Sequence, residues 1–114
     1  MGRAMSLDQK IEPDFAKRGG LVVAIAQDAI TKIVLMQGYM NKQAWDETLR
    51  TGKATYWSTS RDELWPKGAT SGDWQIVREL YIDCDNDTVL MLVEQQGKGA
   101  CHTGNYSCFY RKVF

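Results

Sequence analysis

Three cysteines and a single histidine hold the most reactive side chains of this sequence. Cys101, His102 and Cys108 share the string Ala-Cys-His-Thr-Gly-Asn-Tyr-Ser-Cys at 100–108. Thiolates and imidazole are ligands that zinc prefers, and Gly104-Asn105 offers a turn able to bring both sulfurs to one ion. The spacing is not that of a zinc finger, so two buried, unligated cysteines remain the plain alternative. Cys84 shifts the balance, because it sits among aspartates, a poor place for a merely apolar cysteine. Three thiolates with one open position is the arrangement of catalytic zinc, where bound water ionises near a pKa of roughly 7. His102 could be a fourth ligand, a proton carrier or a hydrogen-bonded structural side chain.

The string Asp83-Cys84-Asp85-Asn86-Asp87 carries a second chemistry. In an extended backbone the three carboxylates would project to one side and Cys84 to the other. Hard oxygen donors suit Mg²⁺, above all with a substrate phosphate nearby. The competing reading is a solvated Asp/Asn-rich hairpin turn.

Residues 58–72 combine Arg61, Lys67, Ser71 and the amides around Gly72, donors that could hold phosphate. Trp57, Trp65 and Trp74 could stack a purine, although tryptophan more often simply packs. No Walker loop or dinucleotide fingerprint is present. The H-x-E with P-C-x-x-C signature of zinc nucleobase deaminases is also missing.

The elements that must position these residues read as mostly β. Residues 21–27 form an apolar run, the mark of a strand buried on both faces. Residues 33–37 read as the returning strand after a loop at 28–32. Asn41 is a good N-cap and Gly52 a good residue just past a helix end. They predict one main helix over about 41–51, with Trp45 and Leu49 on its buried side. Residues 54–58 read as a short strand, and 61–73 as a long loop. Residues 75–83 alternate, with Ile76, Leu80 and Ile82 facing one way and Val77 and Tyr81 the other. Residues 88–94 complete a hairpin around the acidic turn. The fold class is α+β, predominantly β, with a mixed or antiparallel sheet and one main helix.

At 114 residues the chain reads as a polar segment at 1–18 followed by a single domain at 19–114. Fourteen basic residues balance fourteen acidic ones, which argues against nucleic acid as a partner. The longest apolar stretch, 21–26, is too short to span a membrane, and no secretory signal is seen. Gly2 and Ser6 match the loose myristoylation pattern, a permissive match that carries little weight. An odd number of cysteines argues against a closed disulfide framework, which fits a reducing, cytoplasmic setting.

Taken together the strings resemble the phosphoribosyl-AMP cyclohydrolase family. The segments are Tyr-Met-Asn at 39–41, Tyr-Trp-Ser at 56–58, Ser-Arg at 60–61 and Leu-Trp-x-Lys-Gly-x-Thr-Ser-Gly at 64–72. Asp-Cys-Asp-x-Asp at 83–87, Ala-Cys-His-Thr-Gly at 100–104 and Ser-Cys-Phe-Tyr-Arg at 107–111 complete them. Order and spacing are kept over about 19–111, with small departures at Thr59, at Gln37-Gly38 and in the length of 96–99. The resemblance implies hydrolysis of 1-(5-phosphoribosyl)-AMP, a small nucleotide, between N1 and C6 in histidine biosynthesis. It implies an intertwined homodimer, with zinc held by Cys84 of one subunit and Cys101 and Cys108 of the other. It puts magnesium on Asp83, Asp85 and Asp87. Arg61, Trp65, Lys67, Ser71 and Gly72 are the expected substrate contacts, and His102 the proton-transfer residue. The pyrophosphohydrolase domain fused in some relatives is expected elsewhere. A non-enzymatic, zinc-stabilised binding module is the alternative from another class.

Overall fold

Alternation along β1 (Val22–Asp28) buries Val22, Ala24, Ala26 and Asp28 on one face, while the opposite face is half-buried. The expectation of two fully buried faces therefore holds for only one. This computed structural model describes residues 11–114. The Gly2–Ser6 pattern and the rest of 1–10 lie outside the described residues. β1 is central in a four-stranded mixed sheet of order β2-β1-β6-β5, antiparallel to β2 (Val34–Met40) and parallel to β6 (Thr88–Gln95). The returning strand thus runs three residues beyond the predicted 37. A register shift opposite Ala26/Gln27 leaves Leu35 unpaired, and both Leu35 and Met36 turn inward.

The helix α1 (Lys42–Thr51) begins and ends where its caps dictate. The Asn41 side chain accepts from Ala44 N–H at 2.8 Å, and Gly52 closes the end in the left-handed conformation. Its buried side is Ala44, Trp45 and Thr48; Leu49 is 56 % exposed, against expectation. Thr48 takes the inner position because its hydroxyl accepts from Thr55 N–H at 3.0 Å and donates back to Ala44 O at 2.9 Å. That bond turns the helix so that Leu49 falls outside the apolar stripe.

β3 (Thr55–Ser58) pairs antiparallel with β4 (Glu63–Pro66), so part of the predicted 61–73 loop is a strand. β5 (Gln75–Ile82) joins β6 through the acidic turn, as expected. A bulge between Val77 and Glu79 slips the alternation. Val77 therefore shares the core side with Leu80 and Ile82, in the position foreseen for Ile76.

The core gathers Met40, Trp45, Tyr56, Val89, Met91 and Val93. Gly38 makes room there, since a Cβ at 38 would stand 2.8 Å from the Tyr56 ring. Among the described residues no helix is long and apolar enough to cross a membrane.

Candidate active site

After β6 the chain folds into a tight loop and then runs along the free edge of β2. Ala100 N–H donates to Tyr106 O and Cys101 N–H to Asn105 O, closing the loop that carries His102. Cys108 N–H then donates to the Leu35 carbonyl at 2.7 Å. This double anchoring puts the Cys101 and Cys108 thiols near enough for each to shift the other's ionisation. The Thr103 hydroxyl donates to Cys101 Sγ at 2.9 Å and, with the Thr103 backbone, holds that thiol below its ordinary pKa. Burial and the adjacent Cys101 push the Cys108 thiol up. Lys67, only 6 % exposed, donates from Nζ to Ala100 O at 2.7 Å, and its charge favours the thiolate form of both cysteines.

Cys101 and His102 border a cleft of about 510 Å³ that Arg61, Trp65, Lys67 and Ser71 also line. Gly72 is not among its lining residues. Arg61 and Trp65 also line a smaller cleft of about 290 Å³, together with Ser58 and Ser60. Of the three tryptophans expected to stack a purine, only Trp65 lines these clefts; Trp57 packs against the core and Trp74 sits under the Lys53 ammonium. Thr103 and Lys98 line the larger cleft too and were not foreseen. Thr103, two residues from Cys101, was the one with a readable signal.

The acidic turn stands apart from this cleft. One carboxylate oxygen from each of Asp83, Asp85 and Asp87 lies within 4.8 Å of the others. The backbone there curls, with Asn86 at a φ of 64°, so the convergence comes from a turn and not from an extended strand. Asp83 Oδ1 accepts from the N–H groups of Asp87 and Thr88, which fixes the curl. Arg18 comes first among the groups that hold the Asp87 carboxyl below its usual range, helped by Lys17 and opposed by burial. Three hard oxygens at this separation fit a divalent cation.

Cys84 is exposed in the same turn. Among the described residues, no third Cys, His, Asp or Glu converges with Cys101 and Cys108. One chain therefore offers two soft ligands together and the third elsewhere, and His102 does not close on both sulfurs.

The Cys101 thiol and the His102 imidazole on a cleft that Arg61, Lys67, Lys98 and Trp65 also line are the equipment of a candidate enzyme site. The sequence profile of the family described as phosphoribosyl-AMP cyclohydrolase matches residues 36–110. Phosphoribosyl-AMP cyclohydrolase of Desulfatibacillum aliphaticivorans is 60 % identical over 103 residues, covering 90 % of this chain and 82 % of that protein. The enzyme of that name from Desulforapulum autotrophicum also reaches 60 %, with the same shares of each chain covered. That of Clostridium beijerinckii is 54 % identical over 110 residues, 96 % of this chain and 100 % of its own. The chain belongs to the phosphoribosyl-AMP cyclohydrolase family. That membership makes it an enzyme and removes the purely structural module as a reading.

Proposed function

We propose that the chain hydrolyses 1-(5-phosphoribosyl)-AMP between N1 and C6 of the adenine ring, the ring-opening step of histidine biosynthesis. The observation that carries this reading is the shared cleft, lined by Cys101 and His102 together with Trp65, Arg61 and Ser71. N1-ribosylation leaves the purine cationic and C6 electrophilic. Trp65 lines the cleft and is 41 % exposed, which leaves ring surface for the purine to pack on. Arg61 and Ser71 are the donors for phosphate oxygens, with Lys98 on the same wall. Buried Lys67 serves the thiols and the Ala100 carbonyl, while the Gly72 amide, already donating to Gly68 O at 2.8 Å, is not among the phosphate donors. His102 passes a proton to N1 as the N1–C6 bond opens and water oxygen is added at C6.

The thiol pair fits zinc, with Cys101 and Cys108 from one chain and Cys84 from a second completing a Cys₃ set in a homodimer. Zinc so held supplies a water nucleophile near neutral pH. Asp83, Asp85 and Asp87 hold magnesium, which helps neutralise phosphate. Free thiols suit a cytoplasmic enzyme.

The direct test is a spectrophotometric assay with phosphoribosyl-AMP. Turnover should vanish on chelation and return with zinc and magnesium. No turnover with both metals present would refute the reading.

A further inference from the structure

The loop that carries the thiols is tied to the β1–β2 turn by the Tyr106 side chain, and nothing described so far uses it. Tyr106 stands between Cys101 and Cys108 in sequence, and its backbone closes the loop through the Ala100 N–H to Tyr106 O bond of 2.9 Å. Gly99 passes directly beneath it: a Cβ at 99 would lie 2.4 Å from Tyr106 Cα. The Tyr106 hydroxyl leaves the loop altogether and donates to Asp28 Oδ2, at the end of β1. Thr31 Oγ1, 2.9 Å away, is left to donate to the phenol oxygen, because the single phenol proton is already committed. Ile33 N–H in turn donates to Thr31 Oγ1 at 3.2 Å. Asp28 Oδ1 accepts from the N–H groups of Ile30 and Thr31, which locks the β1–β2 turn against the same carboxylate. The next two residues complete the attachment, Ser107 Oγ donating to Val34 O and Cys108 N–H to Leu35 O, each at 2.7 Å.

We infer that Tyr106 is a positioning residue: its hydroxyl, held by Asp28 and Thr31, sets the separation and direction of the Cys101–Cys108 sulfur pair for the metal. This rests on the proposed thiolate site. The argument is one of degrees of freedom. Cys108 is placed by the edge of β2, and Cys101 by a loop held by short internal bonds and, at Ala100 O, by Lys67 Nζ. Tyr106 is the residue whose main chain belongs to that loop and whose side chain belongs to the sheet, so it transmits the register of one to the other. Without the hydroxyl the loop keeps its internal bonds and the Lys67 contact at Ala100, but its far end loses the side-chain tie to the β1–β2 turn. The two sulfurs then have to be brought together again by the ion itself, and part of its binding is lost.

The test is a titration of metal-free protein with Co²⁺, read through its thiolate charge-transfer band, for wild type, Tyr106→Phe, Asp28→Asn and the double variant. Each single variant should bind Co²⁺ about tenfold more weakly, in the range seen when a group that orients a ligand is removed. The double variant should lose little more, since both changes break one bond. Metal-free Tyr106→Phe should melt within a few degrees of metal-free wild type. Unchanged Co²⁺ affinity in both single variants overturns the inference while the thiolate site stands. So does a metal-free Tyr106→Phe protein that has lost its fold while Asp28→Asn binds normally, because the hydroxyl then serves stability alone. A wild-type chain with no thiolate–Co²⁺ band removes the site and the inference together.

Discussion

Arg18 donates from both Nε and Nη2 to a single oxygen of Asp87, at 3.0 and 2.9 Å. Its neighbour Lys17 lies 3.3 Å from Asp85 and 3.6 Å from Asp87. Both cations come from a single 3-10 turn at Phe15–Arg18, so the N-terminal side of the chain reaches the acidic turn and already offsets much of its charge. A divalent cation arriving at the three carboxylates has to share Asp87 with Arg18 or displace it.

Arg18→Ala should therefore bind Mg²⁺ more tightly, by about two- to fivefold, the modest effect expected of an ion pair whose arginine is largely exposed. Calorimetric titration at low salt measures it. Weaker binding in the variant would mean that Arg18 supports the cation site and does not compete with it.

Asp85→Asn and Asp87→Asn should raise the Mg²⁺ concentration needed for turnover and leave zinc content close to one ion per chain. Carboxylate oxygens suit magnesium and thiolates suit zinc, and the two donor sets do not mix within one chain. Elemental analysis beside an activity titration separates them. Parallel loss of both metals would merge the two sites.

Cys84→Ala and Cys101→Ala, each inactive alone, should recover about a quarter of wild-type activity when co-refolded. Half of the randomly paired dimers are mixed, and each mixed dimer has one site free of lesions. Failure to recover despite proven subunit exchange would locate each metal within a single chain.

Thr48→Val should cost about 1–3 kcal/mol of stability, because it leaves the buried Thr55 N–H without its acceptor. Denaturant unfolding of the metal-free protein is the measurement. A change within 0.5 kcal/mol, the usual range for surface substitutions, would mean that the helix contact contributes only packing.

Acid should unfold the protein partly through Asp28. Burial pushes that carboxyl up, but the Tyr106 hydroxyl and the N–H groups of Thr31 and Ile30 outweigh it and hold it below its ordinary value. The folded state thus releases this proton more readily than the unfolded chain does. The resulting stability is complete above roughly pH 4 and drains away as pH falls through the lower folded value. Asp28→Asn should flatten the stability profile below about pH 4, followed by thermal melts at graded pH. An unchanged acid limb would remove Asp28 from the account.

What could be read in the sequence was what is encoded within a few residues. Asn41 and Gly52 bound the helix because capping is local, and the cysteines and aspartates declare their ligand chemistry by type. The strand β4 was hidden because Glu-Leu-Trp-Pro has no clear alternation of its own and is extended only by pairing with β3. Arg78 concealed the bulge, so Ile76 and Val77 were assigned to the wrong faces. Leu49 misled because an apolar residue four places after Trp45 suggests a stripe, whereas Thr48 wins the inner face through a hydrogen bond. The Arg18–Asp87 and Tyr106–Asp28 contacts join residues far apart in the chain, and no local pattern announces them.

The parallel pairing of β1 with β6 sets Val23 opposite Thr88. The first strand of the sheet must therefore wait for the last, and every strand between them is made before the centre of the sheet can close. Contacts this distant in sequence slow folding, because the intervening chain has to be ordered before they form. The β1–β2 hairpin is local in sequence, whereas the other edge of β1 is satisfied only by β6. The segment that carries Cys101, His102 and Cys108 follows β6 and rests on the edge of β2, so its placement depends on a sheet whose centre is closed by contacts distant in sequence.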